Sequence, residues 1–148
     1  MMKQISIKTR FGWITAFEQK NEIVKVKFGK HKNISVSKNL KKFKLQLNNF
    51  LNKKSKTINC EIQLKGGPTQ IKIWKELKRI KFGKTKTYGE IAKKYELSPR
   101  HIGKICGQNK IALIIPCHRV IRSDGSLGGF SGSGGVVLKK KLLNFEKN

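Results

Sequence analysis

The sequence predicts an α+β chain in two parts, a strand-rich first half and a mainly helical second half. Three observations predict it: β-branched and aromatic residues crowd the first thirty positions, Gly66-Gly67-Pro68 interrupts the chain near its middle, and beyond that break apolar residues recur at helical spacing. At 148 residues, 37% of them hydrophobic, the chain can build a real core as one ordinary domain or two very small ones. The break divides a domain over residues 1–65 from one over residues 66–148, because Gly-Gly-Pro continues neither helix nor strand.

In the first part, ISIKTRFGWITAF (5–17) and IVKVKFG (23–29) alternate loosely about the polar EQKNE segment, which predicts a hairpin. NLKKFKLQLNNFLN (39–52) brings Leu40, Phe43, Leu47, Phe50 and Leu51 onto one helical face, and INCEIQL (58–64) predicts a further strand. In the second part, TQIKIWKELKRI (69–80) aligns Ile73, Trp74, Leu77 and Ile80. TYGEIAKKYEL (87–97) opens with Thr87 and Glu90 at capping-box spacing and turns Ile91, Ala92 and Tyr95 inward. Ser98-Pro99 restarts a helix at once, with Ile102, Ile105 and Cys106 inward, and two helices joined so tightly predict a helix-turn-helix. After IALII, an Asp-Gly turn in RVIRSDGSLGGF separates extended arms. VVLKKKLLNFE (136–146) then predicts a terminal helix with Val137, Leu138, Leu142 and Phe145 on its apolar face.

The charge narrows the partner class. Against 8 acidic residues stand 34 Lys+Arg, a net +26, which favours a polyanion through phosphate neutralisation, nucleic acid first and an anionic membrane surface second. Residues 1–65 hold 16 of these cations and residues 66–148 hold 18, so charge alone locates no site. The rare arginines are more informative: of Arg10, Arg79, Arg100, Arg119 and Arg122, the last three fall in or near the IIPCHRVI stretch (114–121). No apolar run reaches the roughly 18 residues that span a bilayer, and MMKQISIKTR lacks a signal-peptide core, so a soluble cytoplasmic protein is expected. Three widely spaced cysteines, Cys60, Cys106 and Cys117, form no C-x-x-C pair, which argues against a disulfide framework and a cysteine-based zinc site.

IIPCHRVI carries the chemistry. Cys60 and Cys106 read as inert filling, but Cys117 follows Pro116 and precedes His118 and Arg119; a proline turn can present a thiol, and cationic neighbours favour the thiolate. Adjacent residues in a regular element point apart, so His118 is expected to act through a water or after a bend. An imidazole base needs an orienting acceptor. Asp124 sits on a turn tip, whereas Glu146 follows Leu142, Leu143 and Phe145, which would dock that helix end; a surface Glu on a frayed terminus is the plain alternative. Asn109 is either a helix cap or an amide that fixes a turn near the thiol. A thiol nucleophile serves acyl transfer or alkyl transfer, and the helix-turn-helix just upstream favours a substrate carried on DNA.

PCHRVI followed by GSLGGF, preceded by Tyr88 in TYGEIA, by Arg100-x-x-Gly103 and by Asn109, and closed by LLNFE, resembles the O6-alkylguanine-DNA alkyltransferases, the methylated-DNA–protein-cysteine methyltransferases. The resemblance covers residues 68–146 closely; the first half matches only in outline, where the family has a small RNase H-like α/β domain ahead of a winged helix-turn-helix domain. It implies a monomer with no cofactor, no metal and no obligate protein partner, acting on double-stranded DNA that carries O6-alkylguanine, with O4-alkylthymine less certain. Cys117 would accept the alkyl group irreversibly, His118 would deprotonate it through a water, Glu146 would orient His118, and Asn109 would position the site. Tyr88 would rotate a backbone phosphate and help protonate the departing guanine, Arg100 would fill the gap left by the flipped nucleotide, and Lys104 would contact DNA. Val120, Phe130, Ser131 and Lys139 match positions that line or support the base pocket. His101 and Lys104 stand where the family has small residues, Phe130 where tyrosine is common, and Lys110 where proline often follows the asparagine. His31 and Cys60 are two potential ligands, too few for the zinc site of some members. The rival readings are a non-enzymatic alkylguanine-binding relative, against which Cys117 argues, a plain winged-helix DNA-binding protein, and a cysteine hydrolase.

Overall fold

The computed structural model describes residues 2–128 and 135–147. Among them it forms an α+β fold with a small three-stranded sheet, a two-stranded pairing and five α-helices. The chain divides into two compact units, Met1–Lys65 with Lys110–Ile114, and Gly66–Asn109 with Ile115–Asn148.

In the first unit, strands β1 (Lys3–Thr9), β2 (Gly12–Gln19) and β3 (Glu22–Phe28) form an antiparallel meander in that order. The sequence run 5–17 is therefore two strands rather than one. Arg10 and Phe11 turn between them, fastened by a hydrogen bond from Thr9 Oγ1 to the Gly12 carbonyl at 2.6 Å and from Phe11 N to Thr9 Oγ1 at 3.1 Å. The second turn is the two-residue Lys20-Asn21, both with positive φ (50° and 66°), the twist that matches hairpin strands. Ile5 and Ile7 pair with Ala16 and Ile14, which pair in turn with Val26 and Phe28, so one sheet face is hydrocarbon. Helix α1 (Lys38–Leu51) covers it with Leu40, Phe43, Leu47, Phe50 and Leu51. Each fully buried side chain of this kind contributes about 1.5–3 kcal/mol. Ser37 caps the helix by accepting from Leu40 N at 3.2 Å while donating to the buried carboxylate of Glu18.

The segment expected to be a strand over 58–64 is not one. Only Ile62 bridges Ile23, through Ile23 N to Glu61 O at 2.8 Å and Gln63 N to Ile23 O at 2.9 Å. Further along the same strand, Val26 N donates to Lys110 O at 2.9 Å and Ala112 N to Val26 O at 3.1 Å. Two short pieces thus satisfy the β3 edge, and neither is long enough to propagate a ladder. This pairing also places Lys110–Ile114 in the first unit, although it lies beyond the glycine break in sequence.

In the second unit, α2 (Pro68–Lys78) starts at the break, with Pro68 in its first turn and Gln70 Oε1 accepting from Gly67 N at 2.8 Å. Trp74 Nε1 donates to Ile105 O at 3.0 Å inside the core, tying α2 to α4 (Pro99–Gly107). Helix α3 (Tyr88–Tyr95) carries the expected capping box, Glu90 N to Thr87 Oγ1 at 3.0 Å and Thr87 N to Glu90 Oε1 at 3.2 Å. It ends at Glu96 in the left-handed conformation, and Ser98 caps α4 through His101 N at 3.0 Å. Buried Glu76 on α2 accepts from Tyr95 Oη at 2.7 Å and Lys94 Nζ at 3.0 Å, so Tyr95 serves as a polar anchor as well as an apolar one. Short strands β4 (Lys86–Thr87) and β5 (Val120–Ile121) pair in parallel. Helix α5 (Gly135–Lys147) buries Leu138, Lys139, Leu142, Leu143, Phe145 and Glu146. Val137, expected on that apolar face, is 61% exposed, because the buried stripe runs through 138, 142 and 145.

Candidate active site

Pro116 opens a single 3-10 turn, Cys117–Arg119, held by Arg119 N to Pro116 O at 3.0 Å, while Cys117 N reaches back to Ile115 O at 2.8 Å. The turn projects three consecutive side chains in different directions from one tightly wound stretch. Cys117 lines a cavity of about 570 Å³, whose walls include Tyr88, Arg100, Cys106, Arg122 and Ser123. Gly128 closes in on the ring: a Cβ there would lie 3.1 Å from Tyr88 Cε2, and its φ of +75° favours glycine independently.

Behind the cavity lies a buried ionic cluster. His118 Nε2 meets Glu146 Oε2 at 2.8 Å. Arg119 grips the same carboxylate with both arms, Nε to Oε1 and Nη2 to Oε2, each at 2.8 Å, and spends Nη1 on Ile80 O at 2.8 Å. The Phe82 ring lies beneath the guanidinium, 5.9 Å from its carbon. Glu146 is 5% exposed, so it is not a frayed surface residue. Burial alone would raise its pKa, yet hydrogen bonds and charge from His118 and Arg119 hold it down to about 2. The carboxylate therefore stays ionised and can only accept, which makes His118 Nε2 the protonated nitrogen and leaves Nδ1 as the basic one. Burial pushes the His118 pKa below its ordinary value despite the Glu146 hydrogen bond and charge, so the ring rests neutral near pH 7.

The thiol is tuned by competing effects. Burial raises the Cys117 pKa, while a hydrogen bond from Asn109 and the charge of Lys139 act to lower it; the balance is a thiol that rests protonated. Asn109 Nδ2 also donates to Ile115 O at 2.9 Å, fastening the turn two residues before the cysteine. Lys139 is 0% exposed; desolvation lowers its pKa to about 8 against the raising influence of Cys117 and Cys106. Its Nζ lies 3.3 Å from Tyr88 Oη and 5.5 Å from the ring centroid. Desolvation and the nearby sulfurs push Tyr88 up to about 12, so its phenol keeps its proton.

The structure thus brings Cys117, Asn109, Tyr88 and Lys139 to one place and lodges His118 and Glu146 beside them. Arg100 is exposed at the cavity wall on the first turn of α4, and Lys104 is exposed one turn further on. Val120 is fully buried in β5 and is not one of the cavity-lining residues. Phe130 and Ser131 lie outside the described residues. Asp124 is exposed and accepts from Ser126 N at 2.9 Å and Ser126 Oγ at 2.7 Å, remote from any base role. Two residues were not foreseen. Arg119 saturates Glu146, a role signalled only by an arginine adjacent to the base, and Cys106, buried as its spacing requires, also lines the cavity.

Fold and site together define a class, an α+β protein with a cysteine on a single 3-10 turn at a cavity wall and a buried neutral histidine paired with an ionised carboxylate beside it. Residues 68–148 match the family model described as 6-O-methylguanine DNA methyltransferase, DNA binding domain. Over 149 residues the chain is 35% identical to the methylated-DNA–protein-cysteine methyltransferase of Metallosphaera sedula, covering 99% of this chain and 94% of that one. The crystal structure of the Mycobacterium tuberculosis O6-methylguanine methyltransferase superposes with a TM-score of 0.86 at 29% identity, covering 99% of this chain and 93% of that one. The OGT of the same organism in complex with DNA gives a TM-score of 0.85 at 30% identity, over 97% and 92% of the two chains. The chain belongs to the methylated-DNA–protein-cysteine methyltransferase family.

Proposed function

We propose that this chain repairs O6-alkylguanine in duplex DNA by direct reversal, moving the alkyl group onto Cys117 once and irreversibly. The observation that carries the reading is Cys117 on the wall of a 570 Å³ cavity, with Asn109 on its sulfur and the His118–Glu146 pair behind it. In this reading residues 1–65 form an RNase H-like domain and residues 66–148 a winged helix-turn-helix domain whose α4 enters the minor groove, where sequence is poorly discriminated.

An alkyl group on guanine O6 is stacked inside the duplex, so the nucleotide must be turned out at a cost of a few kcal/mol. Arg100, exposed at the start of α4, offsets part of that cost by occupying the gap, and Lys104 contacts the backbone. Tyr88 turns the phosphate and donates its phenolic proton as guanine leaves. Neutral His118 removes the Cys117 proton through Nδ1 and a water; Glu146 holds the tautomer, and Lys139 supplies positive charge to the thiolate. Val120 and Lys139 support the base pocket. Sulfur bonds the alkyl carbon as the carbon–oxygen bond breaks, and the thioether has no easy reverse path. O4-alkylthymine offers the same kind of carbon and is a secondary substrate.

Two substitutions test the reading. Cys117→Ala abolishes alkyl uptake while duplex binding persists; retained uptake defeats the acceptor assignment. Arg100→Ala slows reaction with a paired lesion more than reaction with free O6-benzylguanine, because only the first requires flipping, and equal losses refute the gap-filling role.

A further inference from the structure

Helix α4 places a second sulfur in the cavity that Cys117 lines. Cys106 is buried, unbridged, and on the wall of the same cavity as Tyr88 and Cys117. Asn109 links the two cysteines: its backbone N–H donates to Cys106 O at 3.2 Å, and its side chain hydrogen-bonds the Cys117 thiol. Burial first, and then the proximity of Cys117, push the Cys106 thiol up to about 12, so the two sulfurs sense each other through a shared low-dielectric space. Anything bound to Cys117 on the cavity side is presented to a second nucleophile.

Resting on the alkyl-transfer reading, we propose that Cys106 is a second alkyl acceptor for lesions whose alkyl group carries a leaving group on its second carbon, such as O6-(2-haloethyl)guanine. The Cys117 sulfur bonds the carbon attached to O6, and guanine departs with the electron pair and takes up a proton. In the resulting 2-haloethyl thioether, the sulfur expels halide and closes a three-membered sulfonium ring. The Cys106 sulfur opens that ring at carbon, its S–H bond breaks, and the proton passes to solvent. The product is an ethylene bridge between the two cysteines, with halide and a proton released and no oxidant consumed.

Two features favour Cys106 over the other groups in reach. The sulfonium is a cation formed beside the thiol, and an adjacent positive charge favours the thiolate that burial otherwise disfavours. Holding both partners in one cavity supplies a high effective concentration relative to water arriving from outside. Tyr88 also lines the cavity, but its oxygen is a weaker nucleophile than sulfur toward saturated carbon.

The test incubates the full chain with a duplex carrying O6-(2-chloroethyl)guanine, beside one carrying O6-(2-hydroxyethyl)guanine, which has the same length and no leaving group. Intact mass spectrometry and peptide mapping read both. The hydroxyethyl probe is expected to modify Cys117 alone and leave Cys106 open to a thiol reagent after denaturation. The chloroethyl probe is expected to yield a linked Cys106–Cys117 peptide pair with both thiols consumed. In Cys106→Ala, the linked pair disappears, and any group that Cys117 takes from the chloroethyl probe ends as a hydroxyethyl thioether. Chloroethyl uptake at Cys117 with Cys106 still free, or a bridge that maps to Tyr88, overturns the second acceptor and leaves alkyl transfer standing. Absence of any uptake from the hydroxyethyl probe defeats the alkyl-transfer reading itself.

Discussion

Among the described residues, the first unit buries hydrocarbon with Thr15 and Glu18 as its polar exceptions, whereas the second encloses Glu76, His118, Arg119, Lys139 and Glu146. Removing apolar surface from water is favourable without regard to geometry, but a buried ion pair must repay the desolvation of both charges. The second unit therefore accepts a thermodynamic burden to keep a neutral imidazole, an ionised carboxylate and a shielded ammonium around one thiol. Its stability is expected to depend on pH through Glu146, and that of the first unit chiefly on apolar packing.

The largest effect should separate the two modes of burial. Arg119→Ala leaves Glu146 without its bidentate partner and should destabilise by about 3–5 kcal/mol, a size matched in the first unit by the cavity from Phe43→Ala. Denaturant titration against pH tells them apart. The folded-state pKa of Glu146 lies below its ordinary 4.5, at about 2, so its pairing stabilises above 4.5 and is lost as pH falls toward 2. The Arg119→Ala deficit should shrink across that window while the Phe43→Ala deficit holds; equal behaviour would erase the distinction.

Next in size, Glu146→Gln should slow alkyl transfer on the order of 10²-fold, because an amide no longer enforces the Nε2–H tautomer of His118. An unchanged single-turnover rate would make Glu146 purely structural. The pH profile sharpens the same point: with the His118 pKa below 6.5, the base stays competent through 6.5 and the rate falls only beneath it. An acid limb centred at or above 6.5 would contradict the buried, neutral ring. The smallest effect belongs to the first unit, where Ser37→Ala removes the α1 cap and should cost about 1 kcal/mol with transfer unchanged.

The elements most legible in sequence were those announced by local chemistry. Thr87 and Ser98 cap helices through their own side chains, and the apolar stripes of α1, α2 and α4 face inward as their spacing requires. The turn at Arg10-Phe11 was hidden because its signals, Lys8-Thr9-Arg10 and Gly12, sit within a run that is β-branched and aromatic on both sides. The 58–64 segment has strand composition, yet composition does not reveal how much of the β3 edge is available to it. At the site, cysteine, histidine and proline are adjacent in sequence, whereas Arg119 and Ile80, or Cys106 and Cys117, meet only through folding. Cys106 faces inward as its spacing requires, but helical spacing does not distinguish a core position from a cavity wall. Position 137 shows the reverse error: its apolar side chain joins a stripe in projection and stands in solvent at 61% exposure.

Intact mass spectrometry of the chain after exposure to duplex DNA containing a single O6-methylguanine decides whether Cys117 is the acceptor. Each molecule is expected to gain one methyl group, mapped to Cys117, as an equal quantity of guanine is restored and reaction stops when the thiol is spent. Restored guanine with the protein mass unchanged, or a methyl group on a different residue, would contradict it.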